Sequence, residues 1–295
     1  MKTGFPIFLA AFVALGASWY GLVYGPIEQL GGARQTSVLQ SGDAWPQQRT
    51  GEATLGLQVY RECGCAACHT LQVRQTGVRS EITLTSLGAN KAADFKEFMK
   101  SLMIVPELLN SSNTLVGNLN AWDGTLPKTL YAGDDSTVTA TLAEKLAPAG
   151  VKTESRVVSL GADMARSWGT RQSVAADYLY DQPVQLGTVR AGPDLTLIGV
   201  RDPDVNWQLQ HLYAPSSLLK KSTMPPFRFL FEVRRLAAGR TAPTALVLPP
   251  EYAPPAGMEV VPTAAARELA AFLVSLKANA PLYEAPSTAS AQSNK

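Results

Sequence analysis

The sequence predicts a mainly α-helical protein that begins with a membrane-spanning helix. Three observations carry this prediction: an uncharged apolar run at the N-terminus, helical apolar patterns at 51–62 and 263–276, and turn-rich chain between them. Of 295 residues, 46% are hydrophobic and only 17% are charged, against about 25% charged in an average domain. This composition excludes a wholly disordered chain. The formal net charge of +2 argues against nucleic-acid binding, and no nucleic-acid partner is expected.

The N-terminal run contains no charged residue from Thr3 to Ile27. A helix of 18 or more apolar residues can cross the roughly 30 Å hydrocarbon layer of a bilayer. Lys2 favours a cytoplasmic N-terminus, and aromatic rings that favour the interface cluster at the other end: Trp19, Tyr20 and Tyr24. We therefore predict a single-pass anchor over residues 1–27, with the rest of the chain exported. A cleaved signal peptide is the alternative.

Residues 65–69 read Cys-Ala-Ala-Cys-His, the C-x-x-C-H spacing typical of covalent haem c attachment. The thiols of Cys65 and Cys68, three positions apart on a helical turn, can reach both vinyl groups of one porphyrin. His69 then places an imidazole beneath the iron. We predict one covalently attached haem c. Two alternatives stay open, a zinc site that adds Cys63 to these three residues and a redox pair of the two motif cysteines.

Iron in such a site takes a second axial ligand, normally Met or His. Met224 stands before two prolines, which fix φ and remove two amide donors, so this loop is stiff enough to present a sulfur atom. We predict iron ligation by His69 and Met224. His211 is the alternative imidazole, but it falls in a helical stretch, and we expect it to be a structural histidine with satisfied hydrogen bonds.

Three further residues are predicted to support the haem. Pro193 lies in a turn whose carbonyl can accept a hydrogen bond from Nδ1 of His69 and so fix its tautomer. Arg190 and Trp207 are candidate partners for the haem propionates. An ordinary surface arginine and a core tryptophan are the alternatives for this pair.

The elements around the motif follow the order of a class I-like cytochrome c domain. A helix over 51–62 leads into the haem motif, and an amphipathic helix with Thr263 as its N-cap closes the domain. Between them lies the loop with Met224. Gly56 is predicted to let the closing helix approach closely.

Several stretches of the chain are similar to one known family. They read SVAADYLYDQPVQLGTVRAGPDL at 173–195, WQLQHL at 207–212, STMP at 222–225, GLQVY at 56–60 and QVRQ at 72–75. Together with the anchor, the sequence resembles the membrane-anchored monohaem subunit, subunit II or FixO-type, of cbb3-type cytochrome c oxidases.

The resemblance implies an electron-transport role in a respiratory chain. A haem c ligated by His69 and Met224 would face the periplasm of a bacterial inner membrane and pass single electrons to a haem-copper catalytic subunit, beside a second cytochrome c subunit. The protein would be a carrier rather than a catalyst by itself. Alternatives are a monohaem cytochrome of another respiratory complex, a free-standing anchored shuttle, and a gas-binding sensor.

The chain departs from the family pattern in two places. Cys63-Gly64 alters the approach to the haem motif, and residues 82–166 form a large insertion that contains neither His nor Cys. We therefore expect a cytochrome domain of residues 28–81 and 167–284 that is interrupted by this insertion. In the insertion we predict a helix over 92–109 that is kinked or ends near Pro106, a helix over 136–146, a strand over 156–160, and loops over 110–120 and 123–135. Residues 285–295 have the composition of a disordered tail.

Overall fold

The computed structural model describes residues 4–30, 34–39, 41–237, 239–286 and 292–293. Of these residues, 42% are helical and 16% are in strands, so the coarse prediction of a mainly α protein is confirmed. The α-helices among these residues are α1 Gly4–Trp19, α2 Gly25–Leu30, α3 Glu52–Glu62, α4 Ala92–Leu102, α5 Pro106–Leu109, α6 Ser112–Asn120, α7 Ser136–Leu146, α8 Ala162–Ala165, α9 Ile198–Arg201, α10 Val205–Tyr213, α11 Pro215–Leu218 and α12 Ala264–Ser275.

The strands form three antiparallel sheets. They are β1 Thr36–Ser37, β2 Ala44–Trp45, β3 Gly77–Ser86, β4 Lys128–Gly133, β5 Lys152–Leu160, β6 Phe231–Arg235, β7 Met258–Pro262 and β8 Gln292–Ser293. The largest sheet has the order β4-β3-β5-β8, while β1 pairs with β2 and β6 pairs with β7.

The N-terminal segment is helical from α1 through a π-helical stretch, Tyr20–Tyr24, into α2. Its part Gly4–Glu28 is long and apolar enough to cross a membrane, and none of it is buried against the rest of the protein. An exposed apolar helix of this length fits a single-pass anchor. Residues 1–3 of the predicted anchor lie outside the described residues.

A first hydrophobic core is built around α3 and α12. Tyr60 and Phe272 are fully buried, and their rings lie 5.3 Å apart. The two helices approach closely at Gly56, as predicted, because a Cβ atom there would lie 1.9 Å from the carbonyl oxygen of Glu268. Thr263 caps α12, also as predicted, and its hydroxyl accepts a hydrogen bond from the Ala266 amide. This core also includes residues of α10 and the β6–β7 pair.

A second core lies within residues 82–151. Its buried residues include Phe95 and Met99 from α4 and Leu142 from α7, which cover one face of the sheet around β3. Strand β3 pairs with both β4 and β5. The inserted residues therefore form an α/β unit with a hydrophobic core of its own.

The insertion differs from the prediction in four elements. Strand β3 is absent from the prediction. The break predicted near Pro106 is present, since residues 92–109 divide into α4 and α5 and Pro106 opens the second. The predicted loop at 110–120 is wrong, because Leu115 and Leu119 give α6 a buried face. The predicted loop at 123–135 is also wrong, because β4 pairs with β3 there. Helix α7 is confirmed, and β5 is longer than predicted.

The chain enters the sheet through β3 and leaves it through β5 at the same place. The Thr76 amide donates a hydrogen bond of 2.9 Å to the Leu160 carbonyl, next to the first pair of β3 and β5. The predicted tail at 285–295 lies mostly outside the described residues; within it, the backbone of β8 pairs with β5.

We predict that Gly56→Ala destabilises the first core, because the added methyl group would overlap the backbone of α12. The expected loss is about 1–3 kcal/mol in the free energy of unfolding. Denaturant unfolding of the full-length protein in detergent, followed by far-UV circular dichroism, measures it. Gly117→Ala is the control, since Gly117 lies in α6 with open space around it and alanine favours helix. Equal stability of Gly56→Ala and the parent would contradict the close crossing.

Candidate functional site: a cavity at the end of α3

The C-x-x-C-H motif is formed by a tight turn directly after α3. Gly64 has a φ of 68°, a left-handed conformation that glycine adopts at little cost. The chain then enters a 3-10 turn, Cys65–Ala67, and the His69 amide donates to the Cys65 carbonyl at 2.9 Å. This turn brings both motif cysteines and His69 to the wall of one cavity.

The cavity has a volume of about 680 Å³, within the range of about 300–1,000 Å³ that is common for small-molecule and cofactor sites. Its wall is largely apolar, with α12 contributing Leu269 and Leu273 and α9 contributing Ile198. Of the predicted site residues, it is lined by Cys65, Cys68, His69, Pro193, Trp207 and Met224. The structure therefore brings the C-x-x-C-H motif together with three residues that lie far from it in the sequence.

His69 is held by the turn that precedes α9. Its Nδ1 atom lies 2.8 Å from the Pro193 carbonyl oxygen, so the predicted hydrogen bond is present. Burial lowers the pKa of His69, although the bond to Pro193 opposes this. A neutral ring that donates through Nδ1 keeps the lone pair of Nε2 for a metal. Gly192 packs against the ring, since a Cβ atom there would lie 2.2 Å from Cε1 of His69.

Met224 is half-buried and packs against the first core beside the same cavity. Its amide donates to the Ser222 hydroxyl at 3.3 Å. The loop is tied to α10 because the Phe227 amide donates to the Leu212 carbonyl at 2.8 Å. The thioether is therefore carried by a loop that is restrained on both sides of the prolines.

Trp207 and His211 lie one turn apart on α10, and their rings stack at 4.8 Å with an interplanar angle of 12°. Both line the cavity. Burial lowers the pKa of His211. Its Nδ1 atom is buried without a hydrogen-bond partner among the described residues, so no protein group there satisfies it. His211 therefore stands in the cavity wall together with Met224.

Arg190 does not line the cavity. Its guanidinium group instead contacts Asp163, Thr70 and Gln72, behind the His69 turn. Arg201 lines the cavity, and its Nη1 atom is buried without a partner among the described residues. Neither Arg201 nor Trp168, another cavity residue, is predicted from the sequence. Neither lies in a motif, and only the folded chain brings them to the site.

The three cysteines are free thiols in this structure. Burial raises the pKa of Cys65 to about 12 and also raises that of Cys63. Among the described residues, no group of three or more His, Cys, Asp or Glu side chains is placed to hold a metal ion. The zinc alternative is therefore contradicted.

The donor set fits a haem. Two thiols, an imidazole and a thioether share one apolar cavity with Arg201, whose guanidinium group suits the carboxylates of a haem. Each of these groups has a matching part in a c-type haem: vinyl groups, iron and propionates.

A comparison with protein families gives one match. The family described as "Cytochrome C oxidase, mono-heme subunit/FixO" matches residues 155–247. The resemblance to a FixO-type subunit is thereby confirmed. The matched stretch contains Pro193, Trp207 and Met224 and begins inside β5. The family implies a monohaem subunit of cytochrome c oxidase, associated with the oxidase complex. No curated protein matches the chain.

We predict that Gly192→Ala displaces the His69 ring, because the new methyl group and the imidazole would occupy the same space. The expected cost is about 1–3 kcal/mol of stability, together with loss of the His69–Pro193 hydrogen bond. Thermal unfolding and the ring N–H resonance of His69 measure the two effects. Gly77→Ala, at a position with open space, serves as the control. An unchanged resonance in Gly192→Ala would contradict the packing described here.

Proposed function

We propose that this protein is a membrane-anchored monohaem c-type cytochrome that passes single electrons to the haem-copper catalytic subunit of a cbb3-type cytochrome c oxidase. The observation that carries the proposal is the shared cavity in which Cys65, Cys68 and His69 face the loop of Met224. The match to the FixO family supports the choice of complex.

In this proposal the two cysteines attach the haem covalently and His69 and Met224 are the iron ligands. When bound, the haem supplies a ferric/ferrous couple for one-electron transfer. The Pro193 carbonyl orients His69 and raises its basicity as a ligand. The thioether of Met224 favours the ferrous state more than a second imidazole would. Leu269 and Leu273 exclude water from the site.

Trp207 is proposed to pack against the haem, and Arg201 to neutralise a propionate. The contacts of Arg190 with Asp163 and Gln72 favour a different role for that residue than the propionate partner first expected.

We also propose the arrangement of the chain around the membrane. Residues 1–27 anchor the protein in a bacterial inner membrane, and residues 28–81 and 167–284 form the cytochrome domain in the periplasm. Residues 82–166 are an insertion that interrupts this domain. Its separate hydrophobic core supports this division. The catalytic subunit and a second cytochrome c subunit are the proposed partners.

The test of the complex is spectroscopic. The protein is captured from native membranes in mild detergent through this chain, and reduced-minus-oxidised and CO-difference spectra are recorded. We expect a c-type band together with b-type haem and a CO-reactive centre. A c-type band without a CO-reactive partner would overturn the oxidase assignment and favour an anchored shuttle or another respiratory complex.

The test of the iron ligand is Met224→Ala. We expect the midpoint potential to fall by on the order of a tenth of a volt, within the roughly 0.8 V range that axial ligation spans, and the ferrous haem to bind CO. Met103→Ala is the matched control, because Met103 packs against the second core. If the unaltered protein binds CO as readily as Met224→Ala, the site is that of a gas sensor. If instead the potential is unchanged and no CO binds, His211 is the ligand.

A further inference from the structure

A cluster of charged side chains joins the end of the inserted unit to the turn beside His69. It consists of Asp163 on α8, Arg190, and Asp194, which follows Pro193. Both carboxylates are buried, with Asp163 3% exposed and Asp194 fully covered. Nη1 of Arg190 donates to Asp163 at 2.6 Å, and its Nη2 atom lies 3.7 Å from Asp194. Buried charges of this kind hold their partners in one geometry.

Each nitrogen of the Arg190 guanidinium contacts a different group. Besides the Nη1 bond to Asp163, Nε donates to the Thr70 hydroxyl at 3.0 Å and Nη2 donates to the Gln72 carbonyl. Thr70 directly follows His69 in the chain. The planar guanidinium group, with its donors in fixed directions, therefore ties the inserted unit to the segment that carries His69. A flexible ammonium group could not make all three contacts.

Asp194 completes this clamp from the other side. One of its oxygens accepts hydrogen bonds from the Thr70 hydroxyl at 2.5 Å and the Gln72 amide at 2.8 Å. The Leu195 amide donates to the Thr70 carbonyl at 2.9 Å. These bonds hold residues 70–72 and 190–195 at a fixed separation. That separation sets the distance between Pro193 and His69.

The segment after α8 reaches the cavity itself. Trp168 lines the cavity, and Arg190 lies over its ring at 5.7 Å. Ser167, just before it, has a φ of 58°, an unfavourable conformation for a residue with a side chain. Strained backbone of this kind persists where surrounding contacts fix it, and it clusters at functional sites. The Trp168 amide donates to the Asp163 carbonyl at 2.9 Å, so the residue that pairs with Arg190 also holds this turn.

We propose that Arg190 is a positioning residue that couples the inserted unit to the haem. Held by Asp163, the Arg190 guanidinium fixes the position of residues 70–72 and so preserves the His69–Pro193 hydrogen bond. Through that bond it affects the reduction potential of the haem. The proposal rests on the proposed function, because it takes His69 as an iron ligand.

The direction in which the midpoint potential changes distinguishes a positioning role of Arg190 from an effect of its charge. A firm bond from Nδ1 to the Pro193 carbonyl makes His69 a stronger donor and stabilises ferric iron, so loosening that bond raises the midpoint potential. Removing the positive charge of Arg190 without moving His69 has the opposite effect, since fewer nearby positive charges also stabilise ferric iron. The two causes therefore predict opposite shifts for the same substitution.

The experiment compares Arg190→Gln and Arg190→Lys with the parent as full-length proteins in detergent. Positioning predicts a higher midpoint potential in both variants, although lysine retains the charge. It also predicts that the ring N–H of His69 in the ferrous protein exchanges with solvent about fivefold faster, the factor that corresponds to ~1 kcal/mol for a typical hydrogen bond.

Arg171→Lys is the matched control. Arg171 is completely buried and pairs with Asp177 through two hydrogen bonds, yet it does not line the cavity. The Arg171→Lys protein should be less stable than the parent and should have the same midpoint potential. A fall or no change in potential in both Arg190 variants, or an equal shift in Arg171→Lys, overturns the proposal. Failure of the proposed function is distinguishable, because the parent protein itself would then lack a c-type spectrum. If Arg190→Gln does not fold, Arg190→Lys alone decides.

Discussion

The close crossing of α3 and α12 at Gly56 is the constraint on which the site depends. Helix α3 ends where the haem motif begins, so its position fixes the turn that carries Cys65 and His69. Helix α12 supplies Leu269 and Leu273 to the opposite part of the cavity wall. Because no side chain separates the two backbones at Gly56, the distance between these parts of the wall is set by the backbones themselves.

Buried ion pairs determine how the loops are placed around this helix pair. The chain is poor in charged residues, yet Arg171–Asp177, Arg49–Asp181 and Arg190–Asp163 each include a carboxylate that is almost completely covered. Such pairs contribute little net stability, because both charges lose their hydration. Breaking one leaves a buried charge without a partner, so they select one loop arrangement over others.

Local patterns in the sequence predict much of the site. The spacing of Cys65, Cys68 and His69, the prolines after Met224 and the apolar faces of α3 and α12 all lie within short segments, and the structure places them together. The predicted Pro193–His69 hydrogen bond came from one short turn. Resemblance to a family pointed to the stretch 173–225, all of which lies within the matched residues.

The unpredicted features depend on contacts between distant residues. Strands β3 and β4 bury residues through pairing, β3 with both β4 and β5, and through packing in the second core with α4 and α7, and their sequences alternate weakly. Arg201 enters the cavity although Arg190 has the more suggestive position beside the Gly-Pro turn. Arg190 pairs instead with Asp163, which lies within residues 82–166 and belongs to no sequence motif.

The separate locations of the two cores have a consequence for biogenesis. The second core is complete within residues 82–151, whereas the first also needs α12, which is synthesised later. Domains fold as units while the chain emerges. Residues 82–151 can therefore fold while the first core is still incomplete. During that interval α12 has not yet closed its part of the cavity wall, so the thiols of Cys65 and Cys68 remain accessible to solvent.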